Sequence, residues 1–251
     1  MSHQRLRAAA VVLLTVGWSA VLIAQNYYWE TVTGDAESIV PVAKAFYAPR
    51  KLKYVSAREY DPTLIIRLDR GSVFVVNTRR ETYAEISFAD WKSMREQQSA
   101  MVFQIPPDVQ NLPEEQRSRR LQELIAAQSN ENSKVDVLRI PETKMIRGYM
   151  CAKSIMRQDG KTLLTVWSTR AMKEFESMRS DLTEAYHQLS LNYPAMRNLS
   201  VALKSIDGFP IEYQRGEEKT TVQKIEKRVW GEEEFEPPSG YKRTTPAVPG
   251  R

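Results

Sequence analysis

The chain has 251 residues, 36 Lys and Arg against 31 Asp and Glu, a formal net charge of +5, one Cys and two His. A single Cys excludes an intramolecular disulfide, and so few Cys and His exclude a closed zinc site. Residues 1–24 hold two Arg and no acid, so the remainder carries +3, too even a balance for a polyanion-binding surface.

Arg5 and Arg7 lead into seventeen uncharged residues, Ala8 to Ala24. A helix that crosses the hydrocarbon core needs about twenty apolar residues. This run is shorter and is diluted by Thr15, Gly17 and Ser19, so residues 1–24 read as a secretory signal cut after Ala24, with Gln25 as the mature start. Leu22 stands where a small residue is preferred, and the alternative is an inner-membrane anchor over residues 8–24. In both cases the positive lead stays inside and the bulk of the chain lies in the periplasm or extracytoplasmic envelope. No Cys follows the run, so a lipid-modified N-terminus is not available.

From Gln25 the first half reads as strands. Residues 27–33 are aromatic and β-branched, and residues 51–55 alternate charged with apolar side chains, the period of a strand with one wet face. These two are expected to be antiparallel neighbours. Residues 64–68 and 73–76 flank Asp69-Arg70-Gly71 and form a hairpin, and residues 77–80 turn into a strand over 82–86. Such spacing predicts a meander that closes toward a sandwich or barrel. Ser87 with Asp90 is a helix start, and Trp91, Met94 and Gln98 follow at helical spacing. Pro106, Pro107 and Pro113 interrupt the chain before a helix over 114–129, with Leu121, Leu124 and Ile125 on one stripe and Arg117, Arg119 and Arg120 on a solvated face. Residues 87–134 therefore form a helical insert ending in a loop over 130–133.

Strands return at 145–156 and 162–167, joined by Asp159-Gly160, a strong hairpin signal. A helix over 170–189 follows, with Met172, Phe175, Met178, Leu182, Ala185, Tyr186 and Leu189 on a wide apolar stripe that packs into the core. Tyr193-Pro194 ends it, and the last strands are expected over 209–213 and 220–229. The chain after Tyr241 has little to bury. One domain over 25–243 is expected, with residues 244–251 as a disordered tail.

The motifs Arg67-Leu68-Asp69-Arg70-Gly71, Tyr83-Ala84-Glu85-Ile86, Gly148-Tyr149-Met150-Cys151, Trp167, Gly208-Phe209-Pro210, Thr220-Thr221-Val222 and Phe235-Glu236-Pro237-Pro238-Ser239-Gly240-Tyr241 come in an order that resembles the family called domain of unknown function 4412. That family is similar in turn to the periplasmic lipoprotein carriers and their outer-membrane receptor, the localization-of-lipoprotein proteins. The resemblance covers about Tyr47 to Tyr241. It implies an α+β fold, a curled antiparallel sheet forming an incomplete β-barrel with helices packed on its concave face. It brings no catalytic residues, and the insert between Ile86 and Lys134 departs from the carriers' lid.

Site chemistry is sparse. Cys151 and His187 could form a nucleophile and base, but one lies in a strand and the other in a core-facing helix, so Cys151 reads as a buried inert thiol. Gly160-Lys161-Thr162 lacks the upstream Gly of a phosphate loop, since position 155 is Ile155, and Glu232-Glu233-Glu234 reads as a solvated run. No catalytic, metal-binding or cofactor-binding residue and no cofactor is expected. Two functions of different classes remain. One is a non-enzymatic envelope protein that binds a lipid, acyl chain or lipoprotein in a half-barrel cavity. The other is a structural or interaction protein that docks on an envelope complex through a sheet edge or the insert, without a small-molecule ligand. Neither reading involves nucleic acid.

Overall fold

A computed structural model describes residues 26–34, 38–94, 112–120, 135–191 and 196–245. The N-terminal apolar run, the stripe of Leu121, Leu124 and Ile125, Tyr193-Pro194 and most of the expected tail lie outside these residues. The strands are β1 (Asn26–Gly34), β2 (Ile39–Ala48), β3 (Lys51–Ser56), β4 (Thr63–Arg67), β5 (Ser72–Asn77), β6 (Thr82–Ser87), β7 (Val135–Ile146), β8 (Tyr149–Gln158), β9 (Lys161–Thr169), β10 (Phe209–Arg215), β11 (Glu218–Arg228) and β12 (Lys242–Arg243). Two helices, α1 (Phe175–Ser190) and α2 (Arg197–Ser205), lie between β9 and β10. Residues 88–94 and 114–120 are also helical.

All twelve strands belong to one open sheet, in the order β12-β6-β5-β4-β3-β2-β1-β11-β10-β9-β8-β7. Two meanders are joined through the antiparallel pair β1 and β11, which sets the first strand against the last but one. The sheet is mixed, because β12 runs parallel to β6. It neither closes into a barrel nor splits into a sandwich.

Three local expectations are corrected. Residues 27–33 and 51–55 are not neighbours, since β2 lies between β1 and β3. The alanine-rich stretch of β2 carries Pro41 and gives no clear strand signal; Pro41 is accommodated where the β1–β2 register shifts. The single strand expected over 145–156 is two. Arg147 and Gly148 both have positive φ, 51° and 81°, and turn β7 back into β8. Finally, Lys242 and Arg243 pair with Thr82 and Tyr83, and Thr244 N–H donates to the Tyr83 carbonyl at 2.8 Å, so the fold extends just past Tyr241.

The expected hairpins at Gly71 (φ 64°) and Gly160 (φ 76°) are present. The helix start is too: the Ser87 hydroxyl accepts from Asp90 N–H at 3.1 Å and donates to the Asp90 carboxylate at 2.6 Å. Trp91 and Met94 then pack on Ala84 and Ile86, and Trp91 Nε1 donates to the Gln188 carbonyl at 2.8 Å. The helix expected to begin at 170 begins at Phe175. Residues 170 and 171 are drawn aside instead, Arg170 by an ion pair to Asp207 and Ala171 N–H by the Thr169 hydroxyl.

The main core lies on one face of the sheet. Phe175, Met178, Leu182, Ala185 and Leu189 of α1 and Ala202 and Leu203 of α2 meet Trp29, Leu52, Ile66, Met156, Leu164 and Val166. On the opposite face Ile65, Phe74 and Val76 pack against Phe235, with Trp230 and Tyr241 at the margin. Strands β4 and β5 are thus covered on both faces, which is why Leu64-Ile65-Ile66 is continuously apolar rather than alternating.

Gly208 joins α2 to β10 at φ 91°, and a Cβ there would stand 2.1 Å from the Thr169 carbonyl oxygen. No side chain fits without moving backbone. Gly208→Ala is therefore expected to destabilise by about 2–4 kcal/mol, combining left-handed strain with overpacking. Urea denaturation checks this, and an unchanged midpoint would remove the close approach as a constraint.

Candidate functional site

Among the described residues the most deeply buried charged side chain is Arg67. It points from β4 to the face away from α1 and α2, and its side chain is only 2% exposed. A guanidinium without water must find acceptors for its donors. Nε and Nη2 donate to the two Asp69 carboxylate oxygens at 2.9 and 2.7 Å, and Nη1 donates to the Glu236 carboxylate and to the Phe235 carbonyl at 3.3 Å. Around it, Lys51 pairs with Glu232, Lys53 with Glu234 at 2.6 Å and Arg70 with Glu236 at 2.7 Å. The acidic run at 232–234 is therefore not simply solvated. It starts a short 3-10 helix, Glu232–Phe235, that straps onto the sheet and inserts Phe235, 1% exposed, among Ile65, Phe74 and Val76.

Hydrogen bonding to Asp69 holds the Arg67 guanidinium charged well above its ordinary range, and the same bond holds Asp69 below the usual carboxylate range. Because the folded-state pKa of Asp69 lies below its unfolded value, its contribution is complete above about pH 4 and is lost as pH falls through the folded value. Stability is expected to be level from neutral pH to about pH 4 and to decline below it, and Asp69→Asn to flatten part of that decline in denaturation curves taken across pH. Arg67→Ala leaves carboxylates facing a buried void. It is expected to cost about 3–5 kcal/mol at neutral pH, with early proteolysis of the segment after Trp230. A stable variant with a protected C-terminus would contradict that role.

On the helix-covered face, little space is left between the described parts of the sheet and α2. A cavity of about 40 Å³ lies under α2, with Trp29, Ala45, Leu182 and Leu203 as apolar walls and Tyr54, Tyr186 and Tyr213 bringing polar groups to it. Burial pushes all three phenols up, and Tyr186 is raised further by Tyr213 and Tyr54; Tyr213 is pushed up to about 12. Apolar walls with a few polar groups are the make-up of a ligand pocket, but such pockets run to about 300–1,000 Å³. The observed volume holds about two or three water molecules.

α2 is fastened over this cavity by Arg179, which donates to the Leu203 carbonyl at 2.8 Å and the Ile206 carbonyl at 2.6 Å. The Ser200 hydroxyl adds a bond to the Thr183 carbonyl at 3.2 Å. Cys151 is fully buried, and burial, then the nearby Glu212, pushes its thiol up to about 11, so it is protonated at neutral pH. His187 lies exposed on α1. Among the described residues no group of three His, Cys, Asp or Glu is placed to hold a metal ion.

Glu212 is also buried on β10. Lys144 donates to it at 2.7 Å and lies 4.1 Å from the Trp167 ring centroid. The motifs quoted from the sequence thus become fastenings. Arg67 to Gly71 meets Phe235 and Glu236, Glu85 takes Arg243 at 2.9 Å, Trp167 sits under Lys144, and Gly208 gives way to the Thr169 carbonyl. Tyr54, Tyr186 and Tyr213 carried no local signal, since they lie far apart in the chain and meet only through the sheet and α1. The Arg147-Gly148 turn did carry one, a Gly inside an apparent strand.

Residues 119–241 match the family model described as domain of unknown function (DUF4412), just under half of the chain. No curated protein matches the chain significantly. Two solved structures, PNGF-II in space groups C2 and P21, align at 12% identity with TM-scores of 0.42 and 0.44. They cover 89% of this chain and 31% and 32% of their own, so the chain spans about a third of their length.

Proposed function

We propose, from the premise that residues 119–241 resemble the domain of unknown function DUF4412, that this is a non-enzymatic binding protein of the bacterial envelope. Residues 1–24 export it, or residues 8–24 tether it. Its sheet curls into a half-barrel with α1 and α2 on the concave face, as in the lipoprotein carriers. The ligand is an acyl chain, a lipid or the lipid part of a lipoprotein, taken up between the sheet and α2. The observation that carries this reading is the apolar cavity with its three tyrosines at the centre of the sheet, under a nine-residue helix held by a handful of hydrogen bonds.

At about 40 Å³ the site is too small for an acyl chain. Uptake requires α2 to swing away, which breaks the Arg179 contacts first. Saturable binding of a fluorescent fatty acid to the full chain is expected. Ala45→Leu, which fills the cavity, should weaken it about tenfold or more, roughly the free energy of one lost apolar contact set. Arg179→Ala should tighten it by easing the opening. Binding unchanged in Ala45→Leu would place the probe elsewhere, for example on residues 8–24.

The small volume under α2 favours one other reading, a structural or interaction protein docking on an envelope complex without a small-molecule ligand. It predicts no saturable probe binding and crosslinked partners that depend on residues 87–134. Export itself is checked by sequencing the mature N-terminus. A start at Gln25 is expected, and an intact Met1 or Ser2 makes residues 8–24 an anchor.

A further inference from the structure

The sheet face covered by α1 and α2 runs on beyond them into β7 and β8. Alternate residues of β8 share that face, and they pass from buried to open: Met156 and Ser154 are buried, Ala152 is exposed and Met150 is 58% exposed. Across the strand pair, Thr143 stands opposite Ala152 and Met145 opposite Met150, with Met145 60% exposed. Two half-open methionines side by side at the end of a hairpin form an apolar tip, and adjacent exposed apolar side chains mark interaction surfaces more often than isolated ones do. Behind the tip a groove of about 440 Å³ continues between the β7 bulge and the loop at Arg170 and Asp207.

Charge decides what could cover this tip. Arg139 and Arg170 share the methionines' face with Asp207 and Arg147 lies in the turn, while Lys144 and Lys153 lie over Trp167 on the opposite face with Glu212 and Glu142. Three of the cations are matched: Lys144 with Glu212 at 2.7 Å, Lys153 with Glu142 at 2.7 Å, and Arg170 with Asp207. Arg139 and Arg147 make no ion pair among the described residues, although Arg139 stands in the field of Asp207, and Arg147 occupies the turn next to the methionines. Apolar side chains at a tip, with five cations against three carboxylates on the strands and loop around it, are complementary to an anionic bilayer surface, where acyl chains lie just below phosphate head groups.

We propose that the β7–β8 end of the sheet docks on an anionic lipid bilayer, with Met145 and Met150 entering the boundary between head groups and acyl chains and Arg139 and Arg147 meeting the phosphates. This surface is separate from the cavity under α2, so either can fail alone. The test places an environment-sensitive dye on Met145→Cys in the full chain; Cys151 is fully buried and stays unlabelled in the folded protein. Vesicles of phosphatidylcholine with a quarter phosphatidylglycerol are expected to shift the dye emission to the blue, and phosphatidylcholine alone is not. The response should weaken as salt rises. Arg139→Glu with Arg147→Glu should raise the lipid concentration at half response about tenfold or more. If the Met145 variant does not fold, the dye on Met150→Cys gives the same readout. Residues 8–24 could bring the chain to vesicles by themselves, so protein that sediments with them while the dye emission stays unchanged overturns the proposal. A shift that depends on protein concentration without lipid assigns the tip to a second copy of the chain, and equal shifts on both vesicle types remove the role of the cations.

Discussion

The buried guanidinium of Arg67 is the constraint on which the outer half of this structure depends. A charge this deep is unfavourable unless each donor is met, and the turn after β4 supplies only Asp69. The remaining acceptors come from Phe235 and Glu236, about 170 residues further along the chain. Meeting them brings down the strap that starts at Glu232, seats Phe235 over β4 and β5, and leaves the chain at Tyr241 beside β6, where Lys242 and Arg243 add a twelfth strand. The salt bridges of Lys51, Lys53 and Arg70 lie nearer water and contribute less individually, but they fix where along the sheet the strap lies.

The two faces of the sheet are covered by different means. On one face α1 and α2 bury a broad apolar stripe, and the core under α2 holds a small tyrosine-edged cavity. On the other a short strap, rich in acid, is held by cations and one phenylalanine. The covering layers do not reach the whole sheet. Past Asp207 the helix-side face emerges on β7 and β8 as a mostly polar groove that ends in the exposed Met145 and Met150. An interior closed by a short helix and an open apolar edge are the two places where this architecture could meet a hydrophobic partner.

Local features that need only near neighbours were legible in the sequence. Asp159-Gly160 makes its turn because both residues take the positive φ it needs at little cost, 50° and 76°, and Ser87 with Asp90 caps its helix within one turn. The stripe from Phe175 to Leu189 packs as its spacing requires. What misled was local resemblance without its partner. Glu232-Glu233-Glu234 looks solvated until Lys51 and Lys53 are set opposite. Strand β2, with Pro41 and three alanines, exists because β1 and β3 pair with it on both sides, not because its residues favour extension. The turn at Arg147 was hidden by strand formers on both sides. Of the candidate sites, the inert setting of Cys151 could be read in advance from its apolar neighbours, whereas the tyrosine cluster and the exposed methionine pair could not.

The sequence alone determined the periodicities, the turns, the near-even charge and the lack of an intramolecular disulfide, because each of these depends on composition or on residues a few positions apart. The tertiary structure decided the strand order, the docking of the acidic strap on Arg67, the volume left under α2 and which apolar residues stay uncovered on β7 and β8. Those depend on pairings across more than a hundred residues, where the free energy comes from burying groups that carry no mark of one another in the chain.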